Sequence, residues 1–115
     1  MSSYYIKAIM LENCPYSISA DKLIKENNLP NKSIWIGYND KDKYITNKIQ
    51  TYPQIYLKRY NSMENVLLGG YDDMTQWIKE FKNKKLNDNK VNEFQSKYGL
   101  SKKAVLRTIQ LINSV

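Results

Sequence analysis

A β-branched and aromatic run, Tyr4 to Leu11 (YYIKAIML), is followed at once by a helical pattern and then by a second alternating run, Ser33 to Tyr38 (SIWIGY). That order constrains the chain more than any other feature. Two neighbouring strands joined through a helix run parallel, and the crossover between them is right-handed. The spacing predicts the helix over about 15–28: Ile18, Leu23 and Ile24 recur at roughly helical intervals, and Asn27, Asn28 and Pro30 close it. Pro15 stands at the helix start, where a missing N–H removes only a group that has no partner. Cys14 then falls at the N-terminal edge of that helix.

The rest of the chain completes a sheet. Asp40 to Ile49 carries Tyr44, Ile45 and Ile49 among charges and reads as a short helix. Pro53 to Arg59 (PQIYLKR) reads as a third strand, Asn61-Ser62 as a turn, and Asn65 to Leu68 as a fourth strand returning antiparallel. Gly69-Gly70 breaks the sheet before a helix over about 72–82, with Met74, Trp77, Ile78 and Phe81 on one face and Asp72-Asp73 complementing the helix dipole. Lys82 to Lys90 (KNKKLNDNK) reads as a polar linker. Helical patterns at Val91–Tyr98 and Lys102–Asn113 follow, parted by Gly99 and with Ser101 as N-cap; Val105, Leu106, Ile109 and Ile112 form an apolar stripe. At 115 residues there is room for one globular domain. The expected architecture is α/β: a four-stranded mixed sheet flanked by helices over 1–82, with a C-terminal helical extension over 83–115 packed on or near it.

One cysteine and no histidine exclude an internal disulfide, a Cys/His zinc site and any imidazole-dependent triad. No stretch approaches the ~18 uninterrupted apolar residues of a membrane helix, and no basic segment followed by an apolar one opens the chain, so a cytoplasmic protein away from membranes is expected. Lys and Arg total 18 against 11 acidic residues, a net charge of +7, yet only Arg59 and Arg107 are arginines. Bidentate contacts to bases and phosphates favour guanidinium, so no nucleic-acid partner is expected. The abundance of Lys, Asn, Ile and Tyr reads as an AT-rich coding bias, with attraction of anions as the lesser alternative.

Three short elements carry chemistry, and each has two readings. Cys14 at a helix N-terminus faces unpaired N–H groups and the positive dipole end, which favour a thiolate; the other reading is a small buried apolar residue. Thr51-Tyr52-Pro53 opens a strand. A cis bond there leaves the Tyr52 backbone free to pair with an extended peptide, whereas a trans bond makes it an ordinary strand start. Gly69-Gly70-Tyr71-Asp72-Asp73 permits close backbone approach and offers a helix N-terminus to a carboxylate, with Asp72 accepting from an α-amino group; the plain reading is a capped turn.

Taken in order, C-P-Y-S after the first strand, T-Y-P-Q-I-Y-L at the third and G-G-Y-D-D before the next helix resemble the glutaredoxin family of the thioredoxin fold, over roughly residues 4–82. The resemblance implies Cys14 as the nucleophile and Pro53 as the cis-proline beside it. It implies that the Tyr52 backbone, with Thr51, pairs with the cysteinyl unit of glutathione, and that Gly70, Tyr71 and Asp72 hold the γ-glutamyl end. Tyr16 would line the sulfur, and Lys48 or Gln50 would meet the glycine carboxylate. Ser17 stands where dithiol members carry a second cysteine, which closes the two-cysteine route and leaves a hydroxyl to donate to the thiolate. Leu11 stands where many members have lysine, the connection from Lys58 to Glu64 is longer than their tight turn, and residues from about 83 onward have no counterpart.

The function implied is monothiol, glutathione-dependent thiol–disulfide exchange, with glutathione and glutathionylated thiols as partners. One alternative is a [2Fe–2S] cluster held between two protomers by Cys14 of each and two glutathione thiolates. Apart from that, no metal is expected. Another alternative is a non-catalytic interaction module that docks through the stripe on the last helix. A monomer is expected, with a homodimer as the alternative.

Overall fold

The computed structural model describes residues 3–113; Met1 and Ser2 of the first expected segment, and Ser114 and Val115 of the second, lie outside the described residues. The elements in order are β1 (Tyr4–Leu11), α1 (Pro15–Glu26), β2 (Asn31–Ile36), a 3₁₀ segment (Tyr38–Tyr44), β3 (Gln54–Arg59), β4 (Asn65–Gly69), α2 (Tyr71–Phe81), α3 (Asp88–Tyr98) and α4 (Lys102–Ile112). The four-stranded sheet has the order β2-β1-β3-β4. β1 is parallel to β2 and antiparallel to β3, and β4 is antiparallel to β3. This is a mixed α/β sheet flanked by helices with a C-terminal helical extension, a topology compatible with the thioredoxin-like fold.

The alternation of β1 sorts the side chains into two layers. Tyr4, Ile6, Ala8 and Met10 point to one face, where they meet Ala20 and Ile24 of α1, Met74, Trp77 and Phe81 of α2, Val91 and Phe94 of α3, and Val105, Leu111 and Ile112 of α4. On the other face Ile9 joins Ile36 and Tyr56 in a smaller cluster, with Leu11, Tyr44, Tyr52 and Leu67 packed around it. The 3₁₀ segment covers this second cluster through Tyr44.

Several boundaries differ from the sequence expectation, each for a local reason. β2 spans 31–36 rather than 33–38: Asn31 and Lys32 pair along the backbone with Ile6 and Lys7, although their side chains stand in solvent. α1 stops at Glu26, two residues early, where Asn27 donates its side-chain amide to the Leu23 carbonyl and Asn28 takes a left-handed φ of 52°. The helix expected over 40–49 is instead the 3₁₀ segment. Ile45 leaves it in extended conformation, and the Thr46 hydroxyl accepts the Lys48 and Ile49 amides at 3.1 Å each, a turn that competes with helix. The polar linker is shorter than expected, because the Asn87 side chain caps α3 through the amides of Asn89 and Lys90.

The extension is integral to the core. Phe94 packs its ring at a tilt 4.8 Å from Trp77 and edge-on 4.9 Å from Phe81, and Tyr98 stacks 5.4 Å from Trp77. Within the stripe of α4, Val105 and Ile112 are buried while Leu106 and Ile109 pack against the same cluster. Gly99 ends α3 in the left-handed region and the Ser101 hydroxyl caps α4 by accepting the Ala104 amide. The two ends of the extension meet. Asn113 donates to the Phe81 carbonyl at 2.8 Å and accepts the Asn83 amide at 2.8 Å, and the Lys82 ammonium donates to the Ile112 carbonyl.

Phe94→Ala, which empties the centre of this ring cluster, is expected to lower the unfolding free energy by about 3–5 kcal/mol, as large-to-small changes at buried aromatics do. Denaturant titration at neutral pH measures it. A loss below ~1 kcal/mol would mean that the extension does not share the core.

Candidate functional site

The end of β1 turns sharply into α1. Asn13 sits in the left-handed region at φ 62°, and the Cys14 amide donates to the Leu11 carbonyl at 3.3 Å. Cys14 is the N-cap of α1 in extended conformation, half-buried, with Pro15 directly after it. The Ile18 amide donates to the Cys14 carbonyl, so the amides of Tyr16 and Ser17 precede the first intrahelical bond. Such a helix end attracts negative charge. Ser17 is fully buried beneath it, and its hydroxyl accepts the Leu11 amide at 3.0 Å.

The second wall is the loop into β3. The Tyr52–Pro53 bond is cis, and Pro53 is buried. Gln54, with no exposed surface, makes this loop rigid: its side-chain amide donates to the Tyr44 carbonyl at 3.0 Å, and its carbonyl oxygen accepts from the Tyr56 hydroxyl at 3.0 Å. A buried amide satisfied on both ends specifies one arrangement of the chains it joins. The Tyr52 hydroxyl donates to the Lys41 carbonyl, which ties the same loop to the 3₁₀ segment. Burial, aided by the nearby Asp42 carboxylate, raises the Tyr52 phenol above its ordinary range, and burial alone raises that of Tyr56.

The third wall is the turn from β4 into α2. Gly69 has φ 114°, and a Cβ there would lie 2.2 Å from the Asp73 carboxylate. That carboxylate accepts the Gly70 amide at 2.9 Å, so it occupies one of the N–H groups at the start of α2. Gly70 brings its backbone close to the loop before β3, where its Cβ position is 3.5 Å from the Pro53 carbonyl. Tyr71 opens α2 with its ring 6.1 Å from that of Tyr16.

Between these walls lies a cleft of about 630 Å³. Of the residues singled out from sequence, Tyr16, Lys48, Gln50, Thr51, Tyr52, Gly70, Tyr71 and Asp72 line it; Cys14, Ser17 and Pro53 do not. Cys14 precedes the lining Tyr16 by two positions, and Pro53 lies behind Tyr52 and against Gly70. Ile49 and Leu67 line the cleft without having been anticipated, and Gly69 and Asp73, read from sequence as parts of the Gly69–Asp73 turn with no ligand contact assigned, line it too. For Asp73 the signal was present, as an acidic residue three positions beyond a helix N-cap. Among the described residues no cluster of three or more His, Cys, Asp or Glu is placed to hold a metal ion, so Cys14 is the one thiol this chain offers to a shared cluster. No protein-family model matches the chain, and no curated protein matches it either.

Two measurements follow from this geometry. Gly69→Ala combines a left-handed φ with a clash at Asp73, so a loss of more than about 1 kcal/mol in denaturant stability is expected, whereas Gly70→Ala meets only ordinary contact and costs less. The Tyr98 phenol, buried beside Asp73, is pushed up to about 12 from 10, by burial first and that carboxylate second. The folded chain then keeps a proton that the unfolded chain has lost, so stability is complete below pH 10 and falls as pH rises from 10 towards 12. Tyr98→Phe is expected to flatten that fall, with the residual slope carried by Tyr52 and Tyr56; thermal midpoints across this range check it.

Proposed function

We propose that the chain catalyses glutathione-dependent thiol–disulfide exchange through Cys14 alone. The observation that supports this reading is a half-buried thiol at the N-cap of α1, two residues before Tyr16, which lines a cleft of about 630 Å³ walled by the Tyr52 loop and the start of α2. A cleft of that size falls in the ~300–1,000 Å³ range of small-molecule sites and suits a tripeptide. Its polar groups suit glutathione. Asp72 and the first-turn amides of α2 match the α-amino and α-carboxylate groups of the γ-glutamyl end, the Tyr52 backbone matches the cysteinyl unit, and Lys48 or Gln50 matches the glycine carboxylate.

In the first step the Cys14 thiolate attacks the glutathione sulfur of a mixed disulfide. The old S–S bond breaks as the new one forms, and the electron pair leaves with the substrate thiolate, which takes a proton from solvent. In the second step a further glutathione thiolate attacks the glutathione sulfur now joined to Cys14. This releases oxidised glutathione and returns Cys14 as thiolate. One reduced glutathione enters per cycle and the other half of the oxidised glutathione comes from the substrate, so no second protein thiol is needed.

The test uses a glutathionylated peptide with glutathione as reductant, and mass spectrometry of the protein after oxidised glutathione is added. Wild-type chain is expected to gain one glutathione on Cys14, to lose it when reduced glutathione follows, and to release the peptide thiol; Cys14→Ser is expected to fall to the uncatalysed rate. Peptide release that survives Cys14→Ser would overturn the proposal.

A further inference from the structure

A second cleft, of about 580 Å³, lies between β4 and the turn joining α3 to α4, and Lys48 and Leu67 line both clefts. Asn65, Val66 and Leu67 form one side of it and Tyr98 to Ser101 the other. β4 is the last strand of the sheet, so one edge of its backbone has no strand partner. Exposed edges are commonly blunted by charge or proline. β4 (NVLLG) carries neither, although a quarter of the chain is charged, whereas β2 at the opposite edge carries Lys32 and follows Pro30.

The chemistry of the groove selects the strand. Among the described residues no acidic side chain lines it, Lys48 does, and Ser101 and Ala104 at the start of α4 form part of its wall. The Ser101 hydroxyl takes only the Ala104 amide of that first turn, and Lys102 and Lys103 follow at the same helix end, in a chain of net charge +7. The Tyr98 hydroxyl is buried in the same wall, beside the Asp73 carboxylate. From the free strand edge and the one-signed rim we infer that this cleft binds an extended acidic segment of a partner protein, added to the sheet beside β4. The inference does not rest on thiol chemistry at Cys14.

The experiment is fluorescence anisotropy of the full chain with a labelled short peptide alternating Glu and Val, against a Lys and Val counterpart and a single-stranded oligonucleotide. Saturable binding of the acidic peptide alone is expected, weakening with salt, together with slowed hydrogen exchange of the β4 amides that point away from β3. Asn65→Glu puts a like charge on the exposed floor of the groove and is expected to weaken binding by roughly tenfold or more with an unchanged circular dichroism spectrum. Absence of saturable binding, equal binding of the oligonucleotide, unchanged affinity in the variant, or sedimentation as a dimer paired through β4 would each overturn the inference.

Discussion

Strand β1 is bonded along both edges, to β2 on one side and β3 on the other, so its side chains have only the two faces of the sheet to go to. Everything else is arranged around that division. All four helices bury their apolar sides on the face of Ile6, Ala8 and Met10, and Trp77 gathers the aromatic rings of α2 and α3 there. The face of Ile9 receives a much thinner cover, the 3₁₀ segment and the loop that follows it. The cleft opens where this thin cover meets the starts of α1 and α2. Its walls are therefore loop backbone held by a few polar contacts, chiefly those of Gln54 and Asp73, with the heavily packed layer behind them as support.

How much of this could be read from the residues depended on whether a pattern reflected burial or pairing. β1 matches its expected span because its near-continuous apolar run reflects burial on both faces. β2 does not match. As an edge strand it is held by backbone bonds to β1, and the side chains of Asn31 and Lys32 carry no trace of that pairing. Tyr44, Ile45 and Ile49 suggested a helix face, yet only Tyr44 packs from the 3₁₀ segment, Ile45 is exposed, and Ile49 is buried by a turn that the Thr46 hydroxyl organises. The three pieces of the site were legible as separate motifs, at residues 14–17, 51–53 and 69–73, with Lys48 and Gln50 implied by resemblance, and the fold draws most of these residues to one cleft. Leu67 and Ile49 were not legible, since nothing in an apolar residue distinguishes a cleft wall from a core wall before the chain is folded.

The site and the extension share a residue through Asp73. Its carboxylate holds the Gly70 amide in the turn before α2, leaves no room for a side chain at position 69, and raises the phenol of Tyr98 in α3. The helical pair after position 83 is thus coupled to the cleft by direct electrostatics as well as by the ring cluster under it. Lys48 contributes a second link, standing on the rim common to both clefts.

The clamp formed by Asn113 on Phe81 and Asn83 makes the extension a closed excursion that leaves the core and returns to the same place. That place is the far end of α2. The helix has 11 residues, so at ~1.5 Å of rise per residue the clamp stands roughly 16 Å from the turn at Gly70. The Gly99 turn is likewise at the opposite end of α4 from Asn113. The point where the extension rejoins the core is therefore held a helix length away from the two cleft-forming turns, at Gly70 and Gly99.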